Sequence, residues 1–192
     1  NGFGRIGRCI LRALHESASN KNLEIVVINE PADAATIAHL LKYDSTHGRF
    51  GGDIVRDGNV LIVNGDRITL LAQTNWRQLP WRELQVDLLL DCSGECHDRA
   101  SAQMHLAAGA KCVLVSQPLP PDDADFTVVM GVNDTALQAR HSIISSASCT
   151  TQGVVPVIQL LDKKFGIEMG TITTIHSTMN DQPVIDAYHH TD

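Results

Sequence analysis

Two groups of residues in this 192-residue chain have types and spacing suited to chemistry. The first is Cys149, set in Ser148-Cys149-Thr150-Thr151, with His176 downstream in the run TTIHST. A cysteine at a helix N-terminus has its thiolate stabilised by the helix dipole and by free N–H groups. Backbone amides at the same turn can hold an oxyanion. An imidazole can activate such a thiol and then relay protons. Taken singly, each residue has a plainer reading, a structural thiol beside hydroxyl caps and a core histidine ending an apolar strand. Together they make a candidate nucleophile–base pair.

The second group is Gly2-Phe3-Gly4-Arg5-Ile6-Gly7, a G-x-G-x-x-G opening a helical run. Glycines allow a tight turn and let the backbone approach a pyrophosphate, which then sits on the helix N-terminus. The pattern alone also fits a simple tight turn. Glu30 strengthens the nucleotide reading, because it ends the apolar run LEIVVIN (23–29) at about the ~20-residue separation from which a carboxylate reaches an adenine-ribose hydroxyl. A carboxylate there repels a 2′-phosphate, so NAD is expected rather than NADP. The strand that normally precedes such glycines is absent from the sequence, which starts at Asn1 on the motif itself.

Helical and extended patterns alternate around these groups, the signature of an α/β fold. Residues 5–17 carry Ile6, Ile10, Leu11 and Leu14 at helical spacing, and 33–44 read as a second helix capped by Asp33. Between 45 and 79, Gly48, Gly51, Gly52, Gly58 and Gly65 punctuate short β-like runs, which predicts hairpins. VDLLLDCSG (86–94) and KCVLVS (111–116) read as buried strands around a helix near 98–108, and QPLPPDD (117–123) as a loop. FTVVMGVN and HSIISSAS supply two more extended pieces. TTQGVVPVIQLLDKKFG reads as a helix despite Pro156, and TITTIHST (171–178) as a strand opening a new sheet.

Composition excludes several classes. Apolar residues make up 43% and charged residues 19%, an ordinary globular balance. The net charge of −7 disfavours nucleic acid and acidic membranes as partners. No apolar run approaches the ~20 residues of a membrane span, and no signal-peptide pattern is present. Cys9, Cys92, Cys96, Cys112 and Cys149 are odd in number, with no paired C-x-x-C to suggest zinc, so no metal is expected. A reduced, cytoplasmic chain is the simplest reading, with most of these thiols acting as small core residues. His39 and His47 lack metal-ligand partners at suitable spacing, and His189-His190 read as exposed.

NGFGRIGR, LLKYDSTHGRF (40–50), SASCTT (146–151) and TTIHS (173–177) occur in this order across nearly the whole chain. Together they resemble the glyceraldehyde-3-phosphate dehydrogenase superfamily. Asn29-Glu30, LPWRELQVD (79–87) and STMNDQPVIDAYH (177–189) are similar to its erythrose-4-phosphate dehydrogenase branch. In the glycolytic enzymes Asn-Asp is usual at the former position, and a phosphate-binding threonine near Met179.

The resemblance implies a Rossmann-type doubly wound parallel sheet, lacking its first strand, over 1–148, and the beginning of an α+β catalytic domain over 149–192. It implies that Cys149 attacks the aldehyde of D-erythrose 4-phosphate and that His176 moves protons. Ser148 and Thr150 would contact this small phosphorylated aldehyde. Gly2, Gly4, Arg5, Ile6, Gly7, Glu30, Ser93, Gly94 and Ser116 would hold NAD. The product would be 4-phosphoerythronate, on the way to pyridoxal phosphate, and the parent a homotetramer. The two other readings are a phosphorylating glyceraldehyde-3-phosphate dehydrogenase and a truncated dinucleotide-binding chain without catalysis. Gln152, Gly153, Ser146 and Thr74 depart from the family pattern near the site. The family's remaining catalytic domain lies beyond these residues, so residues 1–192 alone are expected to be inactive, with an open slot between LEIVVIN and VDLLLD.

Overall fold

The computed structural model describes residues 1–17 and 22–176. The elements follow the hydrophobic periodicity. Helix α1 spans Arg5–Glu16, strand β1 Val27–Asn29, and helix α2 Ala34–Lys42. The α2 N-terminus is fixed as the sequence implies, with the Asp33 carboxylate accepting from the N–H groups of Ala35 and Thr36. A small antiparallel pair, β2 (Tyr43–Asp44) and β3 (Gly48–Arg49), follows. Next come β4 (Ile54–Asp57), β5 (Val60–Val63) and β6 (Asp66–Leu71), a meander whose last turn places Asn64 and Gly65 at φ 52° and 96°. Two positive φ values at an Asn-Gly pair match the twist of a tight hairpin. Strand β7 (Leu88–Asp91), helix α3 (Arg99–Ala107), strands β8 (Cys112–Val115), β9 (Phe126–Thr127) and β10 (Ile143–Ser145), and helix α4 (Cys149–Phe165) complete the order.

Two four-stranded sheets result. The first has order β1-β6-β5-β4, with β1 parallel to β6 and the rest antiparallel; the second, β7-β8-β10-β9, is parallel throughout. Each has its own core. Leu11, Ile37, Leu41, Phe50, Leu61 and Ile68 pack on the first, and Trp81, Leu89, Cys96, Val113, Val115 and Ile143 on the second.

Among the described residues no ladder joins β1 to β7, so the slot expected between these strands is present. Its C-terminal end is closed by the first two residues. Gly2 N–H donates to Asn29 O at 2.9 Å, the Asn1 nitrogen to Leu90 O at 2.9 Å, and Cys92 N–H to Asn1 O at 2.7 Å. Val26 and Val27 also reach the core of the second sheet, so side chains cover part of the gap.

Three extended stretches are shorter than their apolar runs imply, because a strand extends only as far as a partner's backbone. Of LEIVVIN only 27–29 lie in the strand, where β6 pairs with them. In FTVVMGVN only Phe126 and Thr127 pair. There the chain turns back, held by Asn133, which accepts from Val129 N–H and donates to Thr127 O. Residues 171–176 of TITTIHST form no ladder: no described strand lies beside them, and Ile175 is fully exposed. The remainder of that segment, with Met179 and His189-His190, lies outside the described residues. No described helix is long and apolar enough to cross a membrane.

Candidate active site

The residues singled out by type and spacing gather at the carboxyl ends of parallel strands, where open α/β sheets bind ligands. The Asn1–Gly2 link brings the end of β1 to the end of β7. Ser116 N–H donates to Asp91 O at 2.9 Å and Ser146 N–H to Val115 O at 2.9 Å, so the ends of β7, β8 and β10 lie in one row.

At the β1–β7 junction is a cavity of about 350 Å³ lined by Gly2, Glu30, Thr74, Trp76, Ser93 and Glu95 among others. The glycine loop is shaped by contact as well as by turn geometry. A Cβ on Gly2, which sits at φ 83°, would lie 2.5 Å from the backbone of Ser93, and one on Gly7 would lie 2.5 Å from Gly2 O. Gly4 differs, since a Cβ there would meet nothing within 4 Å. Gly4 is the N-cap of α1 and no side chain caps the helix. First-turn N–H groups without a cap are an anion site. Glu30 Oε2 accepts from Phe3 N–H at 2.7 Å, which ties the carboxylate to the loop. Uncapped amides beside open space, with a carboxylate at the cleft wall, fit the pyrophosphate and ribose of a dinucleotide.

The other predicted cofactor residues are placed variously. The Arg5 guanidinium is turned to Asp44, 3.1 Å away. The Ile6 side chain is exposed. Ser93 lines the cavity, whereas Gly94 and Ser116 do not; Ser116 is hydrogen-bonded to the Cys92 thiol behind it. Of the four departures, Thr74 lines the cavity, and Gly153 faces open space on α4.

At the end of β10 the chain makes a strained turn, with Ala147 at φ 58°. Ser148 then caps α4, its Oγ accepting from Thr151 N–H at 3.0 Å. Cys149 is the first residue of the helix and is exposed. Its Sγ lies 3.3 Å from His176 Nε2, so the two candidates do meet. The hydrogen bond with His176 is the main cause that holds the Cys149 thiol below its ordinary pKa, against a smaller effect of burial, and Thr150 adds backbone and side-chain bonds. Burial acts the other way elsewhere, pushing Cys96 up to about 11 and raising Cys92 and Cys112.

Gln152 has a place that the sequence reading missed. Its Nε2 donates to Val128 O and Ser146 O, both at 2.8 Å, and its Oε1 accepts from Met130 N–H at 3.3 Å. The departure at this position therefore ties the first turn of α4 to the strand ends. Trp76, Asp91 and His105 were also missed. An acidic residue ending the apolar run LLLD was the one available signal, and it pointed to Asp91. Among the described residues no group of three or more His, Cys, Asp or Glu could hold a metal ion.

Two family models match the chain. The glyceraldehyde 3-phosphate dehydrogenase NAD-binding domain matches residues 1–99, and the C-terminal domain of the same enzyme matches residues 148–192.

Proposed function

The chain belongs to the glyceraldehyde 3-phosphate dehydrogenase family of NAD-dependent oxidoreductases, and within that family we propose that it oxidises D-erythrose 4-phosphate to 4-phosphoerythronate without consuming phosphate. The observation that carries the chemistry is the 3.3 Å approach of Cys149 Sγ and His176 Nε2 at the N-terminus of α4. The choice of substrate is supported by Glu30, LPWREL and the sequence after His176.

In this reading the Cys149 thiolate bonds to the aldehyde carbon, and the former carbonyl oxygen takes a proton, giving a thiohemiacetal. His176 then accepts the hydroxyl proton as the carbonyl re-forms in a thioester. NAD, when bound, supplies acceptance of the hydride. His176 releases that proton to solvent and, neutral again, takes a proton from water as that water attacks the thioester carbon; the Cys149 sulfur leaves as the thiolate. Amides at the first turn of α4 stabilise the oxyanion in both steps. Gly2, Gly4 and Gly7, the first-turn amides of Arg5 and Ile6, Glu30 and Ser93 hold the cofactor, with Gly94 and Ser116 bordering them. Ser148 and Thr150 flank the substrate. We place the NAD-binding domain at 1–148 and the start of the catalytic domain at 149–192, a boundary that falls where α4 begins. The parent enzyme is then a cytoplasmic homotetramer serving pyridoxal phosphate synthesis.

The test is steady-state kinetics of the full protein with D-erythrose 4-phosphate and D-glyceraldehyde 3-phosphate, each with and without inorganic phosphate. Preference for the four-carbon aldehyde with no phosphate requirement is the expected result. Phosphate-dependent turnover of the three-carbon aldehyde would assign the phosphorylating reaction instead, and failure to turn over either would leave a dinucleotide-binding chain.

A further inference from the structure

Behind the cofactor cavity lies a polar chain that the proposed chemistry does not use. Asp91, His105 and Trp81 are buried, none more than 1% exposed. Trp81 Nε1–H donates to His105 Nδ1 at 3.1 Å, and His105 Nε2 lies 3.2 Å from Asp91 Oδ2. An indole N–H can only donate, so Nδ1 is the acceptor and the imidazole proton sits on Nε2, facing the carboxylate. Asp91 Oδ1 in turn accepts from both the N–H and the Oγ–H of Ser93, and Ser93 lines the cavity. The His105 ring also stacks on Trp76 at a centroid distance of 4.7 Å, and Trp76 lines the same cavity. One imidazole thus braces two parts of the cavity wall, one through a hydrogen-bonded carboxylate and one through ring contact.

Stability alone does not explain such a cluster. A buried polar or ionic group is commonly replaced by apolar side chains at no loss, so its presence is weak evidence for a stabilising role. Every polar atom of this one is matched, and the chain of bonds ends on the cavity rather than in the core. We propose that His105 is a positioning residue for dinucleotide binding. Through Asp91 it fixes Ser93, and through stacking it fixes Trp76, so the cavity is shaped before the cofactor arrives. Preorganisation of this kind raises affinity by reducing the ordering cost at binding. The inference rests on the reading of this cavity as the NAD site, and His105 touches no reacting atom.

Two substitutions in the full-length protein separate positioning from packing. His105→Phe keeps a ring to stack on Trp76 but neither donates to Asp91 nor accepts from Trp81. His105→Gln keeps a donor and an acceptor on neighbouring atoms. NAD affinity by calorimetry, melting temperature and the rate of Cys149 alkylation by iodoacetamide are measured for each. His105→Phe should weaken NAD binding about tenfold, about 1.4 kcal/mol, and His105→Gln should recover to within about threefold of the parent. Cys149 alkylation should be unchanged in both. A lower melting temperature with unchanged NAD affinity would overturn the proposal, leaving His105 a packing residue. Should His105→Phe fail to fold, Trp81→Phe removes the indole donor together with part of the buried ring, and NAD affinity equal to the parent's would overturn it equally. A parent protein that binds no NAD would overturn the reading of the cavity itself, a different outcome from a parent that binds and variants that match it.

Discussion

The proposed cofactor cavity and the proposed nucleophile are built in opposite ways. Beside the cavity the glycine loop is backbone packed on backbone, with Gly2 against Ser93 and Gly7 against Gly2 O, and a buried carboxylate stands behind it. The nucleophile has little around it. Cys149 is exposed, α4 has no buried residue among its seventeen, and His176 sits on an extended segment with no ladder. Recognition here is part of the packing, while reactivity depends on a few polar contacts at a helix end. Substitutions in the first region should therefore cost stability, and substitutions in the second should cost chemistry and leave the fold intact.

The largest effect expected is on turnover. Removing the base with His176→Asn in the full protein should lower kcat by ~10²–10⁴-fold, the usual worth of a positioned general base. Its denaturation midpoint should match the parent's. A loss of stability comparable to that of a glycine-loop variant would erase the contrast between the regions.

Gly2→Ala should do the reverse. Its Cβ would meet the Ser93 backbone 2.5 Å away, and its φ of 83° disfavours any side chain. Overpacking of this kind costs on the order of 1–3 kcal/mol, with strain at positive φ in addition. Gly4→Ala is the companion, because its Cβ meets nothing within 4 Å, and a change at this N-cap should cost at most about 1 kcal/mol. If a pyrophosphate approaches that position, Gly4→Ala should still weaken NAD binding. Equal losses of stability for Gly2→Ala and Gly4→Ala, by urea denaturation, would contradict the contact assignment.

A smaller effect concerns acid. Burial would raise the Asp91 pKa, but hydrogen bonds from His105, Asn1 and Ser93 outweigh it and hold the carboxyl below its ordinary 3.8. A carboxyl depressed on folding contributes stability above its unfolded pKa and loses it as pH falls through the folded value. The parent should therefore lose stability as pH drops below about 4, and Asp91→Asn should flatten that slope. A parallel slope in the variant would show that other carboxyls set the acid limit. Smallest of all, Gln152→Glu replaces the donors that hold Val128 O and Ser146 O and should slow Cys149 alkylation a few-fold. No change would mean that Gln152 only decorates the helix.

Much of this was legible in the sequence where the signal is local. Asp33 caps α2 as its position implies, the Asn64-Gly65 turn joins two strands, and the glycine loop opens α1 beside Glu30. Cys149 and His176 were legible as types, and their meeting rested on resemblance. What was hidden depends on partners distant in the chain. His105 reads as one polar residue on a helix, because Trp81 and Asp91 reach it from 24 and 14 residues away. Gln152 read only as a departure from the family pattern because its partners are backbone carbonyls, which leave no trace in residue type. The ends of β1 and β9 were overextended for the same reason, since apolar runs do not reveal where a neighbouring strand stops.

The most direct measurement is competitive labelling of the native full-length protein with iodoacetamide near neutral pH, followed by peptide mapping of Cys9, Cys92, Cys96, Cys112 and Cys149. If Cys149 is a thiolate held by His176 at the end of α4, it should be alkylated far faster than Cys92, Cys96 and Cys112, whose burial raises their pKa. His176→Asn should slow that labelling. Uniform modification of all five thiols, or a Cys149 rate indifferent to the loss of His176, would contradict the pairing on which the proposed chemistry stands.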